Sequence, residues 1–84
     1  MKAGKWNYDK KRYEAYEIPE DWRCPLTVDD FAEEVNCAAC GKKMAFGGGY
    51  TSLEIHTAIG FGYCVCGECH IEEVKRKLEF EERD

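Results

Sequence analysis

Long apolar runs are missing from this sequence. Nothing in it approaches the roughly 20 consecutive apolar residues that a membrane span requires. The opening stretch Met1-Lys2-Ala3-Gly4-Lys5-Trp6-Asn7-Tyr8 has no apolar segment of the kind that marks a secretory leader. No membrane association is therefore expected. The expected setting is cytoplasmic, where thiols stay reduced or bound to metal rather than forming disulfides. Local motifs for Ser/His/Asp or paired-carboxylate catalysis are also absent, so no enzymatic activity is expected. Length is short as well. Eighty-four residues make one domain at most, and a chain of this size commonly supplements its small core with a metal or a covalent cross-link. There is no internal repeat beyond two cysteine pairs, and no low-complexity tract beyond Gly47-Gly48-Gly49.

Cysteine is what the chain has in excess, with six residues. Four form the pairs Cys37-Ala38-Ala39-Cys40 and Cys66-Gly67-Glu68-Cys69, and paired Cys-x-x-Cys motifs are a strong signature of a four-thiolate metal site. Cys37, Cys40, Cys66 and Cys69 are the candidate ligands. Cys64 is a rival to Cys66, because Cys64-Val65-Cys66 puts both thiols on one face of an alternating strand. Cys66 is preferred since it alone completes a Cys-x-x-Cys with Cys69. Cys24 and Cys64 read as plain buried thiols, and a bridge between them would not persist in a reducing compartment.

Charge is unevenly spread around a net of −5. Residues 1–12 hold five basic groups and one acid, whereas residues 13–36 hold eight acids and only Arg23. An acidic body disfavours non-specific contact with phosphate backbones. The preferred partner is therefore another protein. A nucleic acid is the alternative, reached through a basic arm of Lys2, Lys5, Lys10, Lys11 and Arg12 with help from Lys42, Lys43, Lys75, Arg76 and Lys77.

Taken in order, residues 1–12 lack periodic apolar positions and are expected as a mobile basic arm. Residues 13–84 are expected as a single metal-stabilised domain. Its first part, 13–36, reads as a cover: Pro19 and Pro25 favour extended backbone before them, and Tyr13, Tyr16, Ile18, Trp22 and Leu26 are available to shield a thin core. A short helix is predicted over 28–35. Thr27 would cap it with Asp30 three residues on, and Val28, Phe31, Ala32 and Val35 would form its apolar stripe. Cys40-Gly41-Lys42 then reads as a knuckle whose backbone N–H groups face sulfur, with glycine taking the unusual backbone angles. Met44–Phe46 are expected as a short strand.

From Thr51 to Cys66 the sequence alternates, with Leu53, Ile55, Ile59, Phe61, Tyr63 and Val65 on one parity and Ser52, Glu54 and His56 on the other. That period of two predicts strands with the odd positions buried. Sixteen residues are too many for one strand here, so a hairpin should turn near Thr57–Gly60 and return over Phe61–Val65. The last segment predicts a helix with Cys69, Ile71, Val74 and Leu78 on its apolar side and the tail 79–84 fraying. Cys69 falls near its start, where the helix dipole favours a thiolate.

Knuckle, hairpin and a helix-opening Cys-x-x-Cys follow one another over 37–78 in the order of treble-clef zinc fingers, and the chain resembles that superfamily there. The resemblance rests on Cys37, Cys40, Cys66 and Cys69, on Gly41 after the first pair, and on the helix after the second. It implies an α+β, metal-stabilised fold with one structural Zn²⁺ in a closed Cys₄ tetrahedron, and a closed shell leaves no position for catalytic water. Iron is the other metal that suits four thiolates, although rubredoxin-like sites use two loop knuckles. The whole chain is also similar to small uncharacterised zinc-finger proteins of bacterial mobile elements, a likeness that carries no activity. Cys66-Gly67-Glu68-Cys69-His70 resembles the end of HNH nucleases. No asparagine stands between His56 and Cys66 to complete their catalytic loop. His56 then reads as an outward strand position and His70 as an exposed donor to a cysteine sulfur.

Overall fold

The computed structural model describes residues 1–82. It is an α+β structure of six strands and one C-terminal helix. Strands β1 (Lys2–Asn7), β2 (Arg12–Glu17), β5 (Tyr50–His56) and β6 (Gly62–Val65) form an antiparallel sheet in the order β2-β1-β5-β6. Strands β3 (Glu34–Asn36) and β4 (Lys43–Ala45) form a separate two-stranded ribbon, and α1 spans Gly67–Glu82. Arg83 and Asp84, the end of the tail expected to fray, lie outside the described residues.

The first twelve residues are not an arm. β1 pairs with β2 along six residues, from Lys2 opposite Glu17 to Asn7 opposite Arg12, and with β5 through Gly4 and Lys5. Two physical signals drive this. The Asn7 side chain accepts the Lys10 N–H at 3.1 Å and Lys11 takes φ 53°, which closes a tight turn. Trp6 and Tyr13 meet directly across the ladder, with ring centroids 5.0 Å apart, a cross-strand aromatic pair of the kind that stabilises hairpins. The N-terminal ammonium is fixed too, donating to the Ile18 carbonyl and to the Glu17 and Glu20 carboxylates.

The helix expected over 28–35 does not form. Asp30 uses its side chain to accept the Ala32 N–H at 2.9 Å, a local turn that competes with helical bonding. The backbone then pairs sideways, with Phe46 N–H donating to the Glu33 carbonyl and Gly47 N–H to that of Phe31. Val35, assigned to the helical stripe, is instead buried in β3 opposite Met44. Phe31 remains largely exposed and stacks on Phe46. The expected strand over 44–46 begins and ends one residue earlier, and Phe46–Gly48 form a 3₁₀ turn.

The β5–β6 hairpin turns where the alternation places it. Thr57 N–H bonds the Phe61 carbonyl, Gly60 N–H bonds that of Thr57, and Gly60 adopts φ 94°. The simple in–out pattern fails in β5, however. The ladder shifts register between Thr51 and His56, and Ser52, Glu54 and Ile55 are all buried. The Ser52 hydroxyl accepts the N–H groups of both Glu54 and Ile55, which satisfies the irregular backbone.

The core gathers Ile18, Ile55, Tyr63 and Val65 around Cys24, Cys37, Ala38 and Cys66. Of the predicted cover, Ile18 is buried and Tyr16 and Trp22 pack on that core, whereas Tyr13 and Leu26 stay exposed. On α1 the apolar residues Ile71 and Leu78 are more than half exposed, while Glu73 is buried against β5. The helix thus docks by its polar side. No helix among the described residues is long and apolar enough to cross a membrane.

Candidate metal centre

Cys37 follows β3 directly, and residues 37–42 form the turn into β4. Cys37 N–H bonds the Lys42 carbonyl at 2.9 Å, and Gly41 N–H bonds the Cys37 carbonyl at 2.8 Å. Gly41 sits at φ 80°, a left-handed conformation that side chains resist. Its open face is filled by the Trp22 ring, so a Cβ there would lie 2.4 Å from Trp22 Cζ2. Asn36 locks the same turn, donating to the Gly41 carbonyl while accepting the Arg23 N–H. The knuckle is tied to the sheet by Ala38 N–H, which bonds the Cys64 carbonyl at 3.0 Å.

The second pair arrives from β6. Cys66 follows that strand directly, and Cys69 lies in the first turn of α1, where His70 N–H closes on the Cys66 carbonyl at 2.9 Å. The fold therefore brings one knuckle and one helix start to a common point. The sulfurs of Cys37, Cys40, Cys66 and Cys69 all lie within 4.8 Å of one another, and Cys40 and Cys66 approach to 3.8 Å. A tetrahedron with metal–sulfur bonds of about 2.3 Å has sulfur–sulfur edges of roughly 3.8 Å. The donor set has the size and the chemistry to hold one metal ion.

Local electrostatics agree with that use. Burial disfavours a Cys37 thiolate, yet N–H groups of Cys66, Cys40 and Ala39 directed at its sulfur outweigh this and hold its pKa below the ordinary thiol value. The Cys66 and Ala39 N–H groups lie 3.2 and 3.4 Å from that sulfur. Burial pushes Cys40 upward, and burial together with the neighbouring cysteines pushes Cys69 well upward. Four thiols this close do not all ionise unaided, and a bound dication would supply the compensating charge.

The remaining sulfurs point elsewhere. Cys64 is buried and its thiol faces the Phe46 carbonyl at 3.8 Å, outside the four-sulfur group. Cys24 donates to the Asn36 carbonyl at 3.4 Å, and burial raises its pKa to about 11. Both are free thiols. The histidines stand apart as well. His56 Nδ1 meets the Tyr13 hydroxyl at 3.0 Å. The His70 ring stacks on Tyr50 with centroids 4.8 Å apart, and its Nδ1 lies 3.9 Å from a Glu73 oxygen rather than on a cysteine sulfur.

Sequence reasoning missed a polar layer beside this centre. Arg76 makes a two-pronged pair with buried Glu54 at 2.7 and 2.8 Å. Glu73 accepts the Ser52 hydroxyl at 2.5 Å and the Leu53 N–H at 3.0 Å. Glu54 and Ser52 occupy the parity assigned to solvent, so alternation alone concealed them. The one available signal was the surplus of acids on the first turns of α1, spaced to reach the adjacent strand. Compared with known proteins, the chain matches no family model, no curated protein and no solved structure.

Proposed function

We propose that this chain is a non-enzymatic interaction module folded around one structural Zn²⁺, held by Cys37, Cys40, Cys66 and Cys69 in a treble-clef arrangement. The observation that carries this reading is the convergence of four thiols at tetrahedral spacing. Four protein ligands complete the shell of a structural zinc, whereas a catalytic zinc keeps a place for water. The order of knuckle, β5–β6 hairpin and helix-opening pair supports the treble-clef assignment. Reduced thiols of this kind suit a cytoplasmic setting.

Such a module serves by presenting its surface, and a protein partner is favoured over a nucleic acid by charge. Lys10, Arg23, Lys75 and Arg76 are each paired with a carboxylate of the chain itself. Lys2, Lys5 and Arg12 lie in strands and Lys10 and Lys11 in the turn between them, so none is held out on an arm. The net charge of −5 opposes the approach of a phosphate backbone.

Two measurements test this reading. Mass spectrometry under native conditions should find one zinc per chain, and Cys66→Ser should lose it. Binding to mixed-sequence DNA or RNA across a salt series should be weak throughout. Tight binding that falls steeply with salt would replace the protein-partner reading with that of a nucleic-acid-binding regulator.

A further inference from the structure

Sheet and helix diverge beyond β5, and a groove opens between α1 and the β1–β2 hairpin. It comprises two adjoining cavities of about 480 and 540 Å³ that share Lys5, Glu54 and Arg76. Each is of the size that ligand sites occupy. Apolar surface comes from Tyr8, Tyr16 and Phe80, and the Tyr8 and Phe80 rings, 5.5 Å apart, connect the hairpin turn to the end of the helix.

Seven carboxylates line the two cavities against two cations. Three of the seven are answered within the chain: Glu54 by Arg76, Glu14 by Lys10 at 3.4 Å, and Glu72 by Lys75 at 3.6 Å. Glu73 is buried and accepts the Ser52 hydroxyl and the Leu53 N–H, which leaves Asp9, Glu68 and Glu79 as the groove carboxylates without such a partner among the described residues. Clefts lined by charge of one sign focus the field and concentrate the opposite charge. A zinc-loaded four-thiolate centre, whose Cys69 borders the same groove, would add about two more negative charges.

The groove's own cations show how it handles a positive group. Arg76 is gripped in two-pronged fashion by Glu54, whose side chain is 2 % exposed. Lys5 holds its ammonium 5.7 Å from the centre of the Tyr16 ring, within the range of a cation–π contact. Carboxylates and aromatic faces are thus already arranged around cationic side chains. A nucleic acid would meet carboxylates here, and a second copy of this acidic chain would bring net charge of the same sign.

We propose that this groove docks a basic, extended segment of a partner protein, with Arg or Lys alternating with apolar residues. The inference rests on the reading of the chain as a protein-interaction module, and it names the partner's chemistry. The apolar residues would lie on Tyr8 and Phe80, and the cations would meet Glu68 and Glu79 on the helix side.

The test is a titration of the intact zinc-loaded chain with two labelled peptides, one alternating Arg with Leu and Ser, the other carrying Glu in place of each Arg. The cationic peptide should bind, the acidic one should not, and affinity should fall as salt rises. Both groove acids are exposed, so Glu68→Lys with Glu79→Lys should leave the fold intact and weaken binding by about tenfold or more. The charge-matched pair Asp29→Lys with Glu34→Lys, exposed residues that line neither cavity, should change it by less than about twofold. Phe80→Ala should weaken it without altering the salt dependence. Equal binding of the two peptides, or equal losses in the two double variants, would overturn the proposal. So would self-association that the groove variants abolish while the cationic peptide fails to bind, which would give the groove to a second copy. A DNA duplex in the same series separates the two levels: tight, salt-steep DNA binding defeats the module reading itself, whereas failure of both DNA and peptide defeats the groove alone.

Discussion

Gly41 answers two demands with one missing side chain. Its φ of 80° costs an ordinary residue about 1–2 kcal/mol, and the Trp22 ring occupies the space a Cβ would take. Gly41→Ala should therefore destabilise the metal-loaded protein by about 2–4 kcal/mol, measured by urea unfolding. In a Trp22→Ala background the same glycine change should cost less, because the steric component is gone and only the backbone component remains. Cys24 makes a different residue-scale prediction. Its thiol is 6 % exposed, and burial foremost, with Cys37 and Cys64 adding, raises its pKa from 9.0 to about 11. It should resist alkylation at neutral pH, which a mass shift on iodoacetamide treatment would read directly. The same shift links to stability: above pH 9 the unfolded chain gives up this proton first. Stability from this group is therefore intact below pH 9 and declines as pH rises toward 11. Wild type should lose about 2 kcal/mol more over that window than Cys24→Ala does. At the metal itself the decisive pair is Cys66→Ser and Cys64→Ser. The first should lose metal and the second keep it, since Cys64 faces the Phe46 carbonyl. Retention of metal by Cys66→Ser would require a different fourth ligand.

At the scale of elements, α1 docks on β5 through charge and hydrogen bonds, with its exposed Ile71 and Leu78 on the far side. Removing one member of a buried pair strands the other, at about 3–5 kcal/mol when both are buried. The Arg76 side chain is 47 % exposed, so water can reach toward Glu54 once it is gone. Arg76→Ala should thus cost nearer to about 2 kcal/mol. The combination of Arg76→Leu with Glu54→Leu should cost less than the sum of the two single changes, with thermal unfolding of all four proteins closing the cycle. This docking also explains which elements were legible in the sequence. The knuckle, the β5–β6 hairpin and α1 announce themselves through cysteine spacing, β-branched alternation and a closing run of helix formers, all of which are local signals. β1 and β2 were hidden because their residues are charged: Lys5 and Glu14 stand opposite each other where a core strand would show apolar side chains. The segment 28–35 carried a genuine helix pattern, but Asp30 spends its carboxylate on a local turn and β4 recruits Val35. Glu54 and Ser52 were misassigned to solvent because a register shift in β5 is invisible to a period of two. In the candidate site, the four converging sulfurs followed from spacing alone, whereas the polar layer beside them depended on where α1 came to rest.

The whole molecule is drawn out, with extents of 41 × 22 × 19 Å and a radius of gyration of 12.9 Å, against about 12 Å for a compact chain of this length. Such a shape leaves little interior. Among the described residues the buried apolar set is small, and Cys37, Ala38 and Cys66 belong to it, so the centre of the core coincides with the centre of the sulfur cluster. Without metal, that region holds closely set thiols with no covalent link between them, and β3 and β4 form a ribbon separate from the main sheet. A structural zinc contributes on the order of 10–16 kcal/mol, which equals or exceeds the net stability of an ordinary domain at about 5–15 kcal/mol. Folding and metal binding should therefore be a single equilibrium. Stripping the metal with a strong chelator at neutral pH should abolish near-ultraviolet circular dichroism from Trp22 and Tyr63 and reduce the helical signal of α1. Returning one equivalent of Zn²⁺ under reducing conditions should restore both together. The β1–β2 hairpin should not outlast the rest, because among the described residues its backbone pairs with β5 only at Gly4 and Lys5, and a lone hairpin is marginal in water. Amide exchange on the stripped protein should show β1 and α1 losing protection at the same chelator concentration. Retention of native spectra after complete metal removal would mean that the apolar contacts suffice and that the cysteine cluster does not organise the fold.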